Sequence, residues 1–216
     1  RLYPDLTHNK ICQYQVPSWD QAYALTLGRE AVNPRPSEFA LIHNWFAPYS
    51  DGFISYSDGI HDDVNKIVWS ALAWDPSTPV RDILADYSRV YFNGAVAEQA
   101  ADGLLALERN WRGPLKDNGA VESTLLFWRE LERKAPELGA NWRWQMCLLR
   151  ANYDAMVRRR LLYETRLEEE ANAAMATAPR IGSAKAMELA EAALNRAVRE
   201  PAAADLKARV EELCEK

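Results

Sequence analysis

GFISYSDGIHDD, residues 52–63, is the stretch on which the fold reading turns. Residues 52–56 form a short apolar run. A polar turn of Ser57, Asp58 and Gly59 follows, and the acidic residues Asp62 and Asp63 then open a helical pattern. A strand, a polar loop and a helix start in immediate succession are the signature of a βα unit. In such units the loop after the strand is where ligands are met. The same twelve residues hold Asp58, His61, Asp62 and Asp63, a dense ionisable set for a chain with three histidines.

Working outward, residues 6–16 have strand-like stretches that stop at Pro17, where an X-Pro pair disfavours helix. The long loop that follows carries a short helix over residues 20–27. Ser37 reads as the N-cap of a helix with Phe39, Ile42, His43 and Phe46 at helical spacing, ending before Pro48. Asp62 reads as the cap of the next, whose apolar stripe is Val64, Ile67, Val68, Ala71 and Leu72. The alternation of strand and helix predicts a parallel α/β arrangement over residues 1–76.

Near Pro76 the composition changes to alanine-, leucine-, glutamate- and arginine-rich segments that favour helix, which predicts an all-α domain over residues 77–216. Thr78-Pro79 opens its first helix, Asn93-Gly94 ends it, and further helices are expected over 96–111, 120–134, 141–176, 183–198 and 202–214. The segment 141–176 contains neither proline nor glycine. Its Met146, Leu149, Tyr153, Met156, Tyr163 and Leu167 keep 3-4 spacing, with Arg160 at the polar step, and read as a bundle seam or coiled-coil edge. The fold class expected is therefore mostly helical, α+α/β: a partial (β/α) barrel segment followed by an all-α domain.

Composition narrows the function. At 216 residues the chain buries a core, and its net charge of −5 gives no reason to expect nucleic acid or an anionic membrane as partner. No apolar run is long enough to span a bilayer. Cys12, Cys147 and Cys214 are widely spaced without a CxxC pair, and no HExxH or similar spacing occurs, so no disulfide framework, metal or cofactor is indicated. The chain opens at Arg1 with neither an initiator methionine nor a signal-peptide pattern, which reads as a piece of something longer and leaves the compartment open.

The run QYQVPSWDQAYALTLGRE, followed by GFISYSDGIHDDVNKIVWSALAWDPSTPVRDILADYSRVYF, resembles a group of bacterial glycoside-hydrolase-like proteins. The matching region there is the C-terminal end of the catalytic barrel with its following helical domain, in an architecture related to the α-glucuronidases and hexosaminidases. The similarity covers residues 6–156 and is most specific in YS[DE]G-I-x-[DE]D-x-NK and WDP-x-x-P. The acidic residue after the YS pair is more often glutamate in that group, whereas Asp58 stands here.

The resemblance implies late strands of a (β/α)₈ barrel at 6–12 and 52–56, a carbohydrate (sugar or sugar acid) as partner, and a C-terminal fragment of a carbohydrate-active enzyme lacking part of its chemistry. Sugars need an aromatic face and planar polar groups. Gln13, Tyr14, Trp19 and Asp20 after the first strand, and Tyr56, Ser57, Asp58 and His61 after the second, are the substrate-binding candidates. The other reading is a helical interaction or scaffold module without catalytic activity, self-associating through the seam of residues 146–167. The parent barrel's remainder is the partner only under the first.

Overall fold

In a computed structural model of the chain, residues 14–28, 32–55 and 63–215 are described, and they are all-helical, 77% helix with no strand or sheet. The expected barrel segment is therefore absent from the described residues. Of the two strands proposed for it, residues 6–12 and Tyr56 lie outside them, and residues 52–55 are irregular apart from a lone bridge at Phe53. A five-residue apolar run does not distinguish strand from other buried segments. Here Phe53 is spent on packing, with its ring edge-on to Trp69 at 6.1 Å.

The helices in order are α1 (Gln21–Thr26), α2 (Pro36–Phe46), α3 (Asp63–Trp74), α4 (Val80–Tyr91), α5 (Ala97–Arg109), α6 (Ala120–Lys134), α7 (Trp142–Ala176), α8 (Ala178–Ile181), α9 (Ser183–Arg199) and α10 (Ala204–Cys214). Short 3₁₀ turns follow α2 (Ala47–Tyr49) and precede α6 (Leu115–Asp117) and α7 (Pro136–Ala140). Several starts follow the cap residues. Asp20 accepts from Ala22 N at 2.8 Å at the head of α1, and Asn141 accepts from Arg143 N and Trp144 N at the head of α7. Ser37 does not cap α2. The helix begins at Pro36 with Arg35 as its N-cap, and the Glu108 carboxylate of α5 accepts from Ser37 N (3.0 Å) and Glu38 N (2.8 Å). A carboxylate at that helix end suits the positive pole of its macrodipole.

Asn65 ties the starts of α2 and α3 together, accepting from Arg35 N and donating to Asn33 O; Asn44 donates to Pro76 O at their far ends. The two helices therefore run side by side in the same direction. One apolar cluster runs from Ala40 of α2 and Val64, Val68 and Leu72 of α3 through α4 and α5 to Trp128 of α6 and Trp144 of α7. Trp128 and Trp144 meet edge to face at 5.3 Å, and Phe92 closes on Trp144 at 5.0 Å.

α7 is about 50 Å long. Its first half is enclosed, with Trp144, Cys147, Leu148, Ala151 and Ala155 buried, so Met146, Leu149, Tyr153 and Met156 of the expected seam are only half-buried. Beyond Val157 the helix buries only Leu167 and Ala171 and packs on one side, against α9 and α10. Ala186 and Ala190 of α9 sit against it, small side chains that let the two helices approach closely.

Candidate interaction surface

The described substrate-binding candidates hold structural positions. Tyr14 gives its backbone carbonyl to Arg35 Nη1 at 2.5 Å, and its ring packs beside Phe46 and the pair Phe39 and Trp69. Trp19 lies on Trp111, ring centroids 5.2 Å apart. Asp20 caps α1 with one oxygen and accepts from Leu115 N at 2.7 Å with the other, which anchors the 3₁₀ turn before α6 to α1. Gln13, Tyr56, Ser57, Asp58 and His61 lie outside the described residues. Asp63, read as a helix-start residue, also forms a junction. It accepts from Arg143 Nε of α7 at 2.5 Å and from the Tyr87 hydroxyl of α4 at 3.1 Å.

A different feature stands out at the C-terminal end of α2 and α3. Leu41, Trp45 and Tyr49 follow one another at four-residue spacing and are 59%, 69% and 84% exposed, while Trp74, the last residue of α3, is 93% exposed. The backbone explains why none of them is inside. Phe39, Ala40 and His43 turn α2 inward, which puts Leu41 and Trp45 on its opposite side. Val64, Val68 and Leu72 do the same for α3 and leave Trp74 outward. The Asn44 to Pro76 hydrogen bond holds the two helix ends together. Between them lies a cleft of about 230 Å³ bounded by His43, Ala47, Asp51, Phe53, Leu72 and Pro76.

Two exposed carboxylates, Asp51 and Asp75, stand at the edge of this end. Asp75 accepts from both the hydroxyl and the backbone N–H of Ser77, bonds that hold its carboxyl below the usual range and keep it charged. Sequence patterning did not single out this surface, because tryptophans on helices ordinarily pack inside. Trp69, Trp111, Trp128 and Trp144 do so; Trp45, Trp74 and the partly exposed Trp142 do not. The available signal was phase, since Trp74 falls off the stripe of Val64, Val68 and Leu72.

Among the described residues no group of three or more His, Cys, Asp or Glu is placed to hold a metal, and no helix is long and apolar enough to cross a membrane. The described residues thus define the class, an all-helical body with exposed aromatic residues and carboxylates at the ends of α2 and α3. Comparisons with protein-family models, with curated proteins and with solved structures found no match. The resemblance to the glycoside-hydrolase-like group is accordingly withdrawn: it implied a barrel, and the described residues form helices with no strand or sheet and match no family. The hydrolase reading loses its footing with it.

Proposed function

We propose that the chain is a helical interaction module that docks a partner protein on the aromatic end of α2 and α3. The observation that carries this reading is the exposure of Trp45, Tyr49 and Trp74 at the C-terminal ends of α2 and α3, which the Asn44 to Pro76 hydrogen bond joins. Large aromatic side chains are the residues most enriched at the energetic centres of protein interfaces. Contiguous apolar surface left outside on a folded body marks an interaction site. Asp51 and Asp75 at the edge select the partner's chemistry, an amphipathic helix with an apolar stripe flanked by lysine or arginine. A second copy of this chain would bring carboxylates against carboxylates.

The test uses a fluorescent amphipathic Leu/Lys helical peptide and its Leu/Glu counterpart, titrated with the intact protein. The Leu/Lys peptide binds saturably and the Leu/Glu peptide does not. Trp45→Ala and Trp74→Ala each weaken binding by about tenfold or more, while the circular dichroism of these surface variants stays that of the parent. Equal binding by the parent and by the double variant, or no saturable binding at all, overturns the reading.

A further inference from the structure

A cleft of about 540 Å³ lies elsewhere, between α1 and α7. That size falls within the range of sites that take small molecules. Its wall is built by Ala22 and Leu25 of α1, Pro114 of the connection before α6, and Val157 and Leu161 of α7. Val157 is buried as its floor, whereas Leu25 stands 76% exposed at its lip.

The charges around this cleft can be followed one at a time. Asp20 has both carboxylate oxygens committed to backbone N–H groups, those of Ala22 and Leu115. Arg160 and Glu164, one turn apart on α7 and both half-exposed, pair through the carboxylate oxygen Oε1 at 2.9–3.0 Å. Lys116 is the remaining charged residue of the wall. Its ammonium has no ionic partner among the described residues, although its backbone carbonyl is held by Arg158. The groove thus combines an apolar bed with a single uncommitted positive charge.

We infer that the α1–α7 groove binds an amphiphile with one anionic head and an apolar tail, the tail lying on Ala22, Leu25, Val157 and Leu161 and the head meeting Lys116. Apolar burial supplies the driving force, and the lysine fixes polarity and orientation. A cationic amphiphile is disfavoured, because both Asp20 oxygens are bonded and Glu164 already carries Arg160. This site is independent of the aromatic end of α2 and α3.

Decanoate, kept below its micelle concentration, is the probe for calorimetric titration of the intact protein, with decyltrimethylammonium as the opposite-charge control. The expected result is one saturable decanoate site that decyltrimethylammonium does not occupy. Lys116→Met weakens it about tenfold, Lys116→Glu weakens it further, and Leu25→Glu, at an exposed position that leaves the fold intact, abolishes it. Trp45→Ala leaves it unchanged, which separates this groove from the docking surface. Decanoate binding that is indifferent to Lys116→Met and Leu25→Glu identifies an adventitious additive only. That outcome, or the absence of saturable binding, overturns the proposal.

Discussion

Arg150 and Asp154, one helical turn apart on α7, form an ion pair that is almost wholly sealed from water: Arg150 Nε lies 2.9 and 2.8 Å from the two carboxylate oxygens. Both carboxylate oxygens and both terminal guanidinium nitrogens have a further partner. Asn110 and Trp111 donate to Asp154 at 2.8 and 2.9 Å, and Arg150 donates to the carbonyls of Val32 and Leu107. The guanidinium also sits over the Trp111 ring, 3.5 Å from its centroid. The pair thereby joins α7 to the end of α5 and to the segment before α2.

Removing one partner strands the other. Asp154→Ala leaves a buried guanidinium without its carboxylate and should lower unfolding stability by about 3–5 kcal/mol. The double variant Arg150→Met with Asp154→Leu keeps the volume apolar and should cost less than either single truncation, because no uncompensated charge remains. Urea unfolding of the parent, Arg150→Met, Asp154→Leu and the double variant forms the cycle. A double variant as damaged as the sum of the singles would show that the pair acts through shape and not through charge.

Much of the helical layout was legible before the structure, and the reasons are local. Asn141 followed by a stretch free of glycine and proline specifies α7, and 120–134 coincides with α6 to the residue. The burial pattern of α7 was not legible. Arg150 and Asp154 look like a solvent-exposed i, i+4 pair, and only the closing of α5, α6 and the early segments around them turns that face inward. Arg158, Arg159 and Arg160 likewise read as a solvated charged face, and Arg160 is exposed, yet Arg158 and Arg159 reach the carbonyls of Leu115 and Lys116 and the Glu122 carboxylate. Phe53 misled in the opposite way. Apolar neighbours beside a glycine turn have strand propensity, but packing on Trp69 decides where the side chain goes, and the sequence does not record that partner.

Alkaline pH offers a second test. Tyr87 and Tyr23 are buried, and burial pushes both hydroxyls above the ordinary tyrosine pKa of 10.0; the Asp63 and Asp154 carboxylates push the same way. A folded-state pKa above the unfolded one means that the folded chain holds its proton more tightly. The stabilisation is complete below pH 10 and is lost as pH rises through the raised values. Stability against urea should therefore fall with pH in the range above 10, with a shallower slope in Tyr87→Phe and Tyr23→Phe. Phenolate absorbance should show these two groups ionising only as the protein unfolds. A slope unchanged by both substitutions would assign the alkaline transition to other groups.

Gly103 of α5 faces Trp128 of α6, and the absence of a side chain there is what lets the indole in. A Cβ at position 103 would stand 2.8 Å from Cζ2 and 2.9 Å from Cε2 of that ring, closer than real contacts permit, while the indole N–H donates to the Gly103 carbonyl at 3.2 Å. Alanine gains about 1 kcal/mol of helix propensity over glycine. Against that, Trp128 is fully buried and wedged against Trp144, so it cannot retreat without disturbing the core. Overpacking of this kind costs about 1–3 kcal/mol, and Gly103→Ala should be destabilising on balance. Gly139→Ala, where a Cβ meets nothing within 4 Å, should stay within about 0.5 kcal/mol of the parent. Adding Trp128→Phe to Gly103→Ala removes the clashing edge and should make the second substitution less costly than it is alone. Independent, additive losses in urea unfolding would mean that the two residues are not in the contact described.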